Sequence, residues 1–79
     1  MSPTIHRELG YRFFFFSREE SRMHVHCQSE RGEAKFWLEP TIEIALHVGL
    51  SVRDLNAVEG IIQEHYHDFV AKWKQYFER

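Results

Sequence analysis

The chain has 79 residues, 43% of them hydrophobic and 15% aromatic, including seven Phe. That supplies enough large apolar surface for one packed core, too little chain for a second, and a composition unlike that of disordered segments. Ten Lys and Arg against twelve Asp and Glu leave a net charge of −2, which excludes a global positive field drawing the chain to nucleic acid or anionic membranes.

The charge is uneven. Six basic and five acidic residues precede Trp37, and four and seven follow from there, so any nucleic-acid contact has to use a local patch in the N-terminal half. The single cysteine excludes an internal disulfide and a C-x-x-C metal site. The N-terminus lacks the charged, apolar and small-residue segments of a signal peptide, and no apolar run nears the ~20 residues of a membrane span, so the expected location is the cytoplasm, without membrane contact.

Residues 1–10 carry little periodicity, with Ile5 and Leu9 as apolar anchors, and read as an extended lead-in. Tyr11-Arg12-Phe13-Phe14-Phe15-Phe16 reads as a strand, since aromatic residues suit a pleated surface and Gly10 and Ser17 flank it with turn chemistry. Four consecutive Phe are apolar on both faces. The outer pair therefore requires cover from the C-terminal helices or from another chain, and a homodimer is one way to supply it. Residues 17–22, Ser-Arg-Glu-Glu-Ser-Arg, form a charged, solvated connection.

A hairpin follows, with arms Met23–Gln28 and Glu33–Leu38 around the turn Ser29-Glu30-Arg31-Gly32. Pairing Gln28 with Glu33 places His26 across from Lys35, His24 across from Trp37, Val25 across from Phe36 and Cys27 across from Ala34. One face of the hairpin is then apolar, with Cys27 as an inward, small apolar residue, and the other gathers two imidazoles, an ammonium and an indole. Glu39-Pro40 breaks this arm. Thr41–Leu46 resumes alternation, with Ile42, Ile44 and Leu46 on one face of a fourth strand; a short helix is the competing reading.

Gly49 ends that element. Ser51-Val52-Arg53-Asp54 has the pattern of a helix start, a hydroxyl placed to accept from free amides and an acid three residues on. Apolar residues from Val52 to Phe77 recur at steps of three and four. One straight helix over 52–78 would be about 40 Å long at ~1.5 Å per residue, so a break is expected near His65-Tyr66-His67-Asp68, with Asp68 capping a second helix. The expected fold is α+β, one domain over residues 1–79. A small antiparallel sheet of three to four strands (11–46) is followed by one or two C-terminal helices (51–78) packed on one face.

The segments Pro3-Thr4, Gly10-Tyr11-Arg12-Phe13-Phe14-Phe15, His24-Val25-His26, Gly32 through Pro40, and Leu50-Ser51 leading to Trp73 and Phe77 together resemble the small bacterial family called domain of unknown function 4160. The resemblance covers essentially the whole chain, and the histidine pair with Ala34-Lys35-Phe36-Trp37 is its most specific part. It implies a compact cytoplasmic α+β protein. It also implies a gene neighbour, a protein of domain of unknown function 2442, in a pair that looks like a toxin–antitoxin module. The family commonly carries Pro-Pro just before the histidines, where this chain has Ser21-Arg22.

Three functions compete for the hairpin. In a ribonuclease or RNA-binding toxin, His24 and His26 act as general acid and base, Lys35 stabilises the charged phosphorane and Trp37 stacks a base. Strand residues two apart sit about 6.6 Å apart, a span that brackets a scissile phosphate, and Arg12, Arg22 and Arg31, with Arg18, are the cations left to bind the backbone. Metal binding would need His6, Glu39 or Glu43 to complete the pair, so neither a metal nor another cofactor is expected. His65 and His67, two apart on a helix, read as a capping region. In the third reading the chain is a non-catalytic antitoxin, or an inhibitor of a larger bacterial or phage-defence complex, and grips a cognate small protein or larger assembly through aromatic and charged side chains.

Overall fold

A computed structural model describes residues 3–16 and 21–77. Five strands, β1 (Thr4–Glu8), β2 (Tyr11–Phe14), β3 (His24–Ser29), β4 (Gly32–Trp37) and β5 (Glu43–Val48), precede two helices, α1 (Val52–Glu64) and α2 (Tyr66–Phe77). The strands lie in the order β1-β2-β3-β4-β5, each antiparallel to its neighbour. The architecture is the expected α+β, with five strands in place of three to four.

The additional strand is β1, read from sequence as part of a lead-in. Glu8 pairs with Tyr11 across a two-residue turn, Leu9-Gly10, in which both residues have positive φ, 52° and 83°. Such turns match the twist of a hairpin and normally carry Asn or Gly at the first position, so Leu9 conceals the signal. Leu9 is no anchor: it is 74% exposed at the turn. Of the expected charged connection, residues 17–20 lie outside the described residues, and Ser21 and Arg22 are exposed.

The hairpin β3–β4 has the expected register, His24 with Trp37, Val25 with Phe36, His26 with Lys35, Cys27 with Ala34 and Gln28 with Glu33. The inward side chains of β2 to β4, Phe13, Val25, Cys27, Ala34 and Phe36, form one buried core with Phe15, Leu38, Val58, Ile62, Phe69 and Trp73. Burial, aided by the Asp54 charge, pushes the Cys27 thiol up to about 12, so it stays an uncharged apolar residue.

The fourth expected strand shifts. β5 begins at Glu43, and its register skips a residue, because Lys35 pairs with Leu46 while Phe36 pairs with Ile44. Ala45 is the extra residue of a bulge, so Ile44 and Leu46 no longer share a face. A close backbone approach fixes the neighbouring turn. A Cβ on Gly32 would lie 2.1 Å from the Val48 carbonyl oxygen, which leaves room for glycine alone.

Ser51 caps α1 with a full capping box, its hydroxyl accepting from the Asp54 amide and the Asp54 carboxylate accepting from the Ser51 amide. The expected break falls at His65, between α1 and α2. Asp68 does not cap the second helix. It lies in the first turn of α2 and pairs with Lys72, one turn on, at 3.0 Å. No helix among the described residues is long and apolar enough to cross a membrane.

Candidate functional site

The four hairpin residues singled out from sequence share the sheet face turned away from most of the core, but they do not form an open catalytic cleft. His24 is fully buried, and its Nδ1 lies 2.6 Å from the Arg22 carbonyl oxygen. Its ring sits 5.7 Å from Trp37 and 5.0 Å from Trp73, so α2 closes over this end of β3. Lys35 is also buried, with its ammonium 4.5 Å from the centre of the Trp37 ring. A fully buried imidazole beside two indoles is packed as a ring of the interior, out of direct reach of a phosphate bound at the surface.

His26 is half-buried and has a different role. It stacks on Phe14 at 5.5 Å and meets Phe16 edge-on at 4.5 Å. Arg12 covers the Phe14 ring at 4.4 Å. This resolves the run of four Phe: Phe13 and Phe15 enter the core, Phe14 is covered by neighbouring side chains of its own sheet face, and Phe16 remains 43% exposed. The concavity beside them, lined by Phe14, Phe16, His26 and Leu46, has a volume of about 40 Å³. It holds a water or two, far below the several hundred Å³ of a small-molecule site.

The arginines divide. Arg22 is exposed, lies over Trp37 at 4.1 Å and reaches Glu43 at 3.9 Å. Arg12 sits between Thr4 and Gln28, donating to both side chains. Arg31, read as a phosphate contact, is engaged elsewhere: its guanidinium donates to both Asp54 oxygens, at 2.8 and 3.2 Å, and to the Tyr11 hydroxyl at 3.1 Å. Tyr11 in turn donates to Asp54 at 2.6 Å.

Sequence reasoning missed this knot of Tyr11, Arg31 and Asp54, since its members lie in three separate elements and only Asp54 carried a local signal. Hydrogen bonds from Arg31, then Tyr11 and the Ser51 amide, hold the Asp54 carboxyl well below the usual carboxylate range. The Tyr11 phenol is raised, first by burial and then by Asp54. The knot fastens the start of α1 to β2 and the β3–β4 turn.

Neither Glu39 nor Glu43 approaches the hairpin histidines as a ligand. The Glu39 carboxylate accepts from the Met23 amide at 2.8 Å, and Glu43 faces Arg22. His6 instead meets Glu8 and His65, the latter read from sequence as part of a cap.

The open feature of this face is its β5 side. β5 ends the sheet, so among the described residues its outer backbone edge pairs with no strand. Ile44, Leu46 and Val48 are 42%, 51% and 64% exposed. Leu46 and Val48 share the outer face with their register partners Lys35 and Glu33, and Leu46 lines the same concavity as Phe16, His26 and Glu33.

Comparison with curated proteins and with solved structures gave no match. Residues 10–74, from the turn before β2 to the last turns of α2, match a protein family described as a domain of unknown function, and on that match the chain belongs to the DUF4160 family.

Proposed function

We propose that this chain is a non-catalytic binding module, the partner-recognising component of a toxin–antitoxin-like pair. It takes up an extended segment of a small partner protein along β5 and the adjoining outer sheet face. The observation that carries this is the bare β5 edge with Leu46 and Val48 exposed beside it. A free edge offers a ladder of backbone donors and acceptors, and alternate side chains supply selectivity, which is the chemistry of strand addition. Charges of both signs border the apolar surface, Arg12 and Arg22 with Glu33 and Glu43, so the fitting segment is apolar at alternate residues and polar between them. His26 and Trp37 act as packed supports of that face. Aliphatic side chains at the edge do not stack bases, and cations already lie over the Trp37 ring, which favours a protein over RNA.

Co-expression with a domain of unknown function 2442 protein tests the reading. A stable complex is expected with the wild type, and at least a hundredfold weaker binding with the double substitution Leu46→Glu, Val48→Lys. Equal binding by the double variant, or no complex with the wild type, would sink the proposal. Cleavage of RNA by the purified chain, abolished by His26→Ala, would restore the ribonuclease reading. Salt-sensitive RNA binding lost in Arg12→Ala would make RNA the ligand of this face.

A further inference from the structure

His6, Glu8 and His65 meet where β1 passes the junction of α1 and α2. A bulge at Ile5 sets the register of β1 so that His6 stands opposite Phe13 and Glu8 opposite Tyr11, which turns both side chains toward the helices. The helix break at His65 turns its ring back toward β1. His6 Nε2 lies 2.9 Å and His65 Nε2 3.1 Å from the same oxygen, Glu8 Oε1, and one donor atom from each of the three residues lies within 4.8 Å of the other two.

We propose that His6, Glu8 and His65 form a binding site for a divalent transition-metal cation. Two imidazoles and a carboxylate are the donor set of three-ligand zinc and iron(II) sites that keep further positions for water. Metal–ligand bonds of about 2.0–2.2 Å place adjacent donor atoms about 3.0 Å apart in an octahedron and about 3.4 Å apart in a tetrahedron, so the two carboxylate–imidazole spacings need to change by about half an ångström at most. The rings are held from behind by Phe69, 5.7 Å from His6 and 6.1 Å from His65, and by Phe13, 5.9 Å from His6. The front stays open, with the three side chains 22%, 32% and 31% exposed. On binding, each Nε2 gives up its hydrogen bond to Glu8, carries its proton on Nδ1 or releases it, and turns its lone pair to the ion. His6 and Glu8 precede residue 10, so two of the three ligands lie outside the residues that match the family.

Calorimetric titration of the metal-free full chain with zinc chloride is the test. One zinc per chain is expected, with a rise in Tm on the order of 10 °C at zinc a hundredfold above Kd, both reversed by EDTA. His65→Ala and Glu8→Gln should each weaken binding at least about tenfold, whereas His67→Ala, at an exposed helix position, should leave it unchanged. Histidine ring resonances of the wild type give a readout independent of any variant, and zinc should shift those of His6 and His65. Absence of saturable binding, equal binding by the His65 and Glu8 variants, or zinc shifts confined to other histidines would overturn the proposal.

Discussion

β1 and β5 are both terminal strands of one sheet, yet only β1 is tied down by the helices. Lys72 of α2 donates to the Ile5 carbonyl at 2.9 Å, His65 bridges to Glu8, and Phe69 packs beneath His6. β5 has no such attachment among the described residues and presents Leu46 and Val48 to solvent. Edge strands template unwanted pairing, and proteins commonly cover or charge them. An edge left apolar in a molecule that guards its other edge is the contrast on which the binding proposal rests.

The guarded side should be the costlier to disturb. Phe69 is fully buried between Phe13, His6 and His65, and Phe69→Ala is expected to destabilise by about 3–5 kcal/mol, measured by urea denaturation. A loss below about 1 kcal/mol would mean that β1 is not anchored through this ring. On the β5 side the one comparably expensive position is in the backbone. Gly32→Ala forces a methyl group against the Val48 carbonyl and is expected to cost on the order of 3 kcal/mol, loosening β4 from β5.

The same contrast explains what could be read from sequence. The β3–β4 hairpin was legible to the register, because period-two alternation on both arms and a glycine-ended turn all specify one pairing. The helix break at His65 followed from length alone. β1 was not legible, since its turn carries Leu9 where Asn or Gly is usual, and the bulge at Ala45 altered the face of Ile44 without any local mark. The candidate site residues show the same division. His24 and His26 stood out because they are neighbours in sequence, yet packing consigns one to the interior. His6, Glu8 and His65 converge only through a bulge and a helix break, and no spacing rule relates residue 8 to residue 65.

Effects at the Tyr11–Arg31–Asp54 knot should be intermediate. Tyr11→Phe removes a buried donor to Asp54 and is expected to cost about 1–2 kcal/mol, and Ser51→Ala about 1 kcal/mol through the lost cap. The knot also sets an acid limb. The Asp54 carboxyl is held down in the fold, chiefly by Arg31, and Glu8 is lowered too, chiefly by His6. Both would titrate near 4 when unfolded. The folded state therefore binds these protons less readily, so their contribution is complete above about pH 5 and is lost as pH falls through the folded values. Thermal melts between pH 7 and pH 2 should show this decline, and Asp54→Asn should flatten it; an unchanged profile would remove Asp54 from the account.

The smallest effect on stability, and the sharpest test of the comparison, is expected at the bare edge. Leu46 pairs with Lys35 and Val48 with Glu33, so Leu46→Glu together with Val48→Lys places opposite charges across the ladder and keeps the net charge at −2. Both positions are more than half exposed, and the double variant should match the wild type within about 0.5 kcal/mol. Its edge is now charged, which opposes strand addition by a partner and by a second copy alike. Sedimentation of both proteins at micromolar concentration separates the cases. If the wild type self-associates and the variant is monomeric, the edge pairs with its own kind. If both are monomeric and only the wild type binds the partner, the edge is reserved for that partner. A stability loss of several kcal/mol would instead make Leu46 and Val48 part of the fold's own packing, and the difference between the two edges would no longer be one of function.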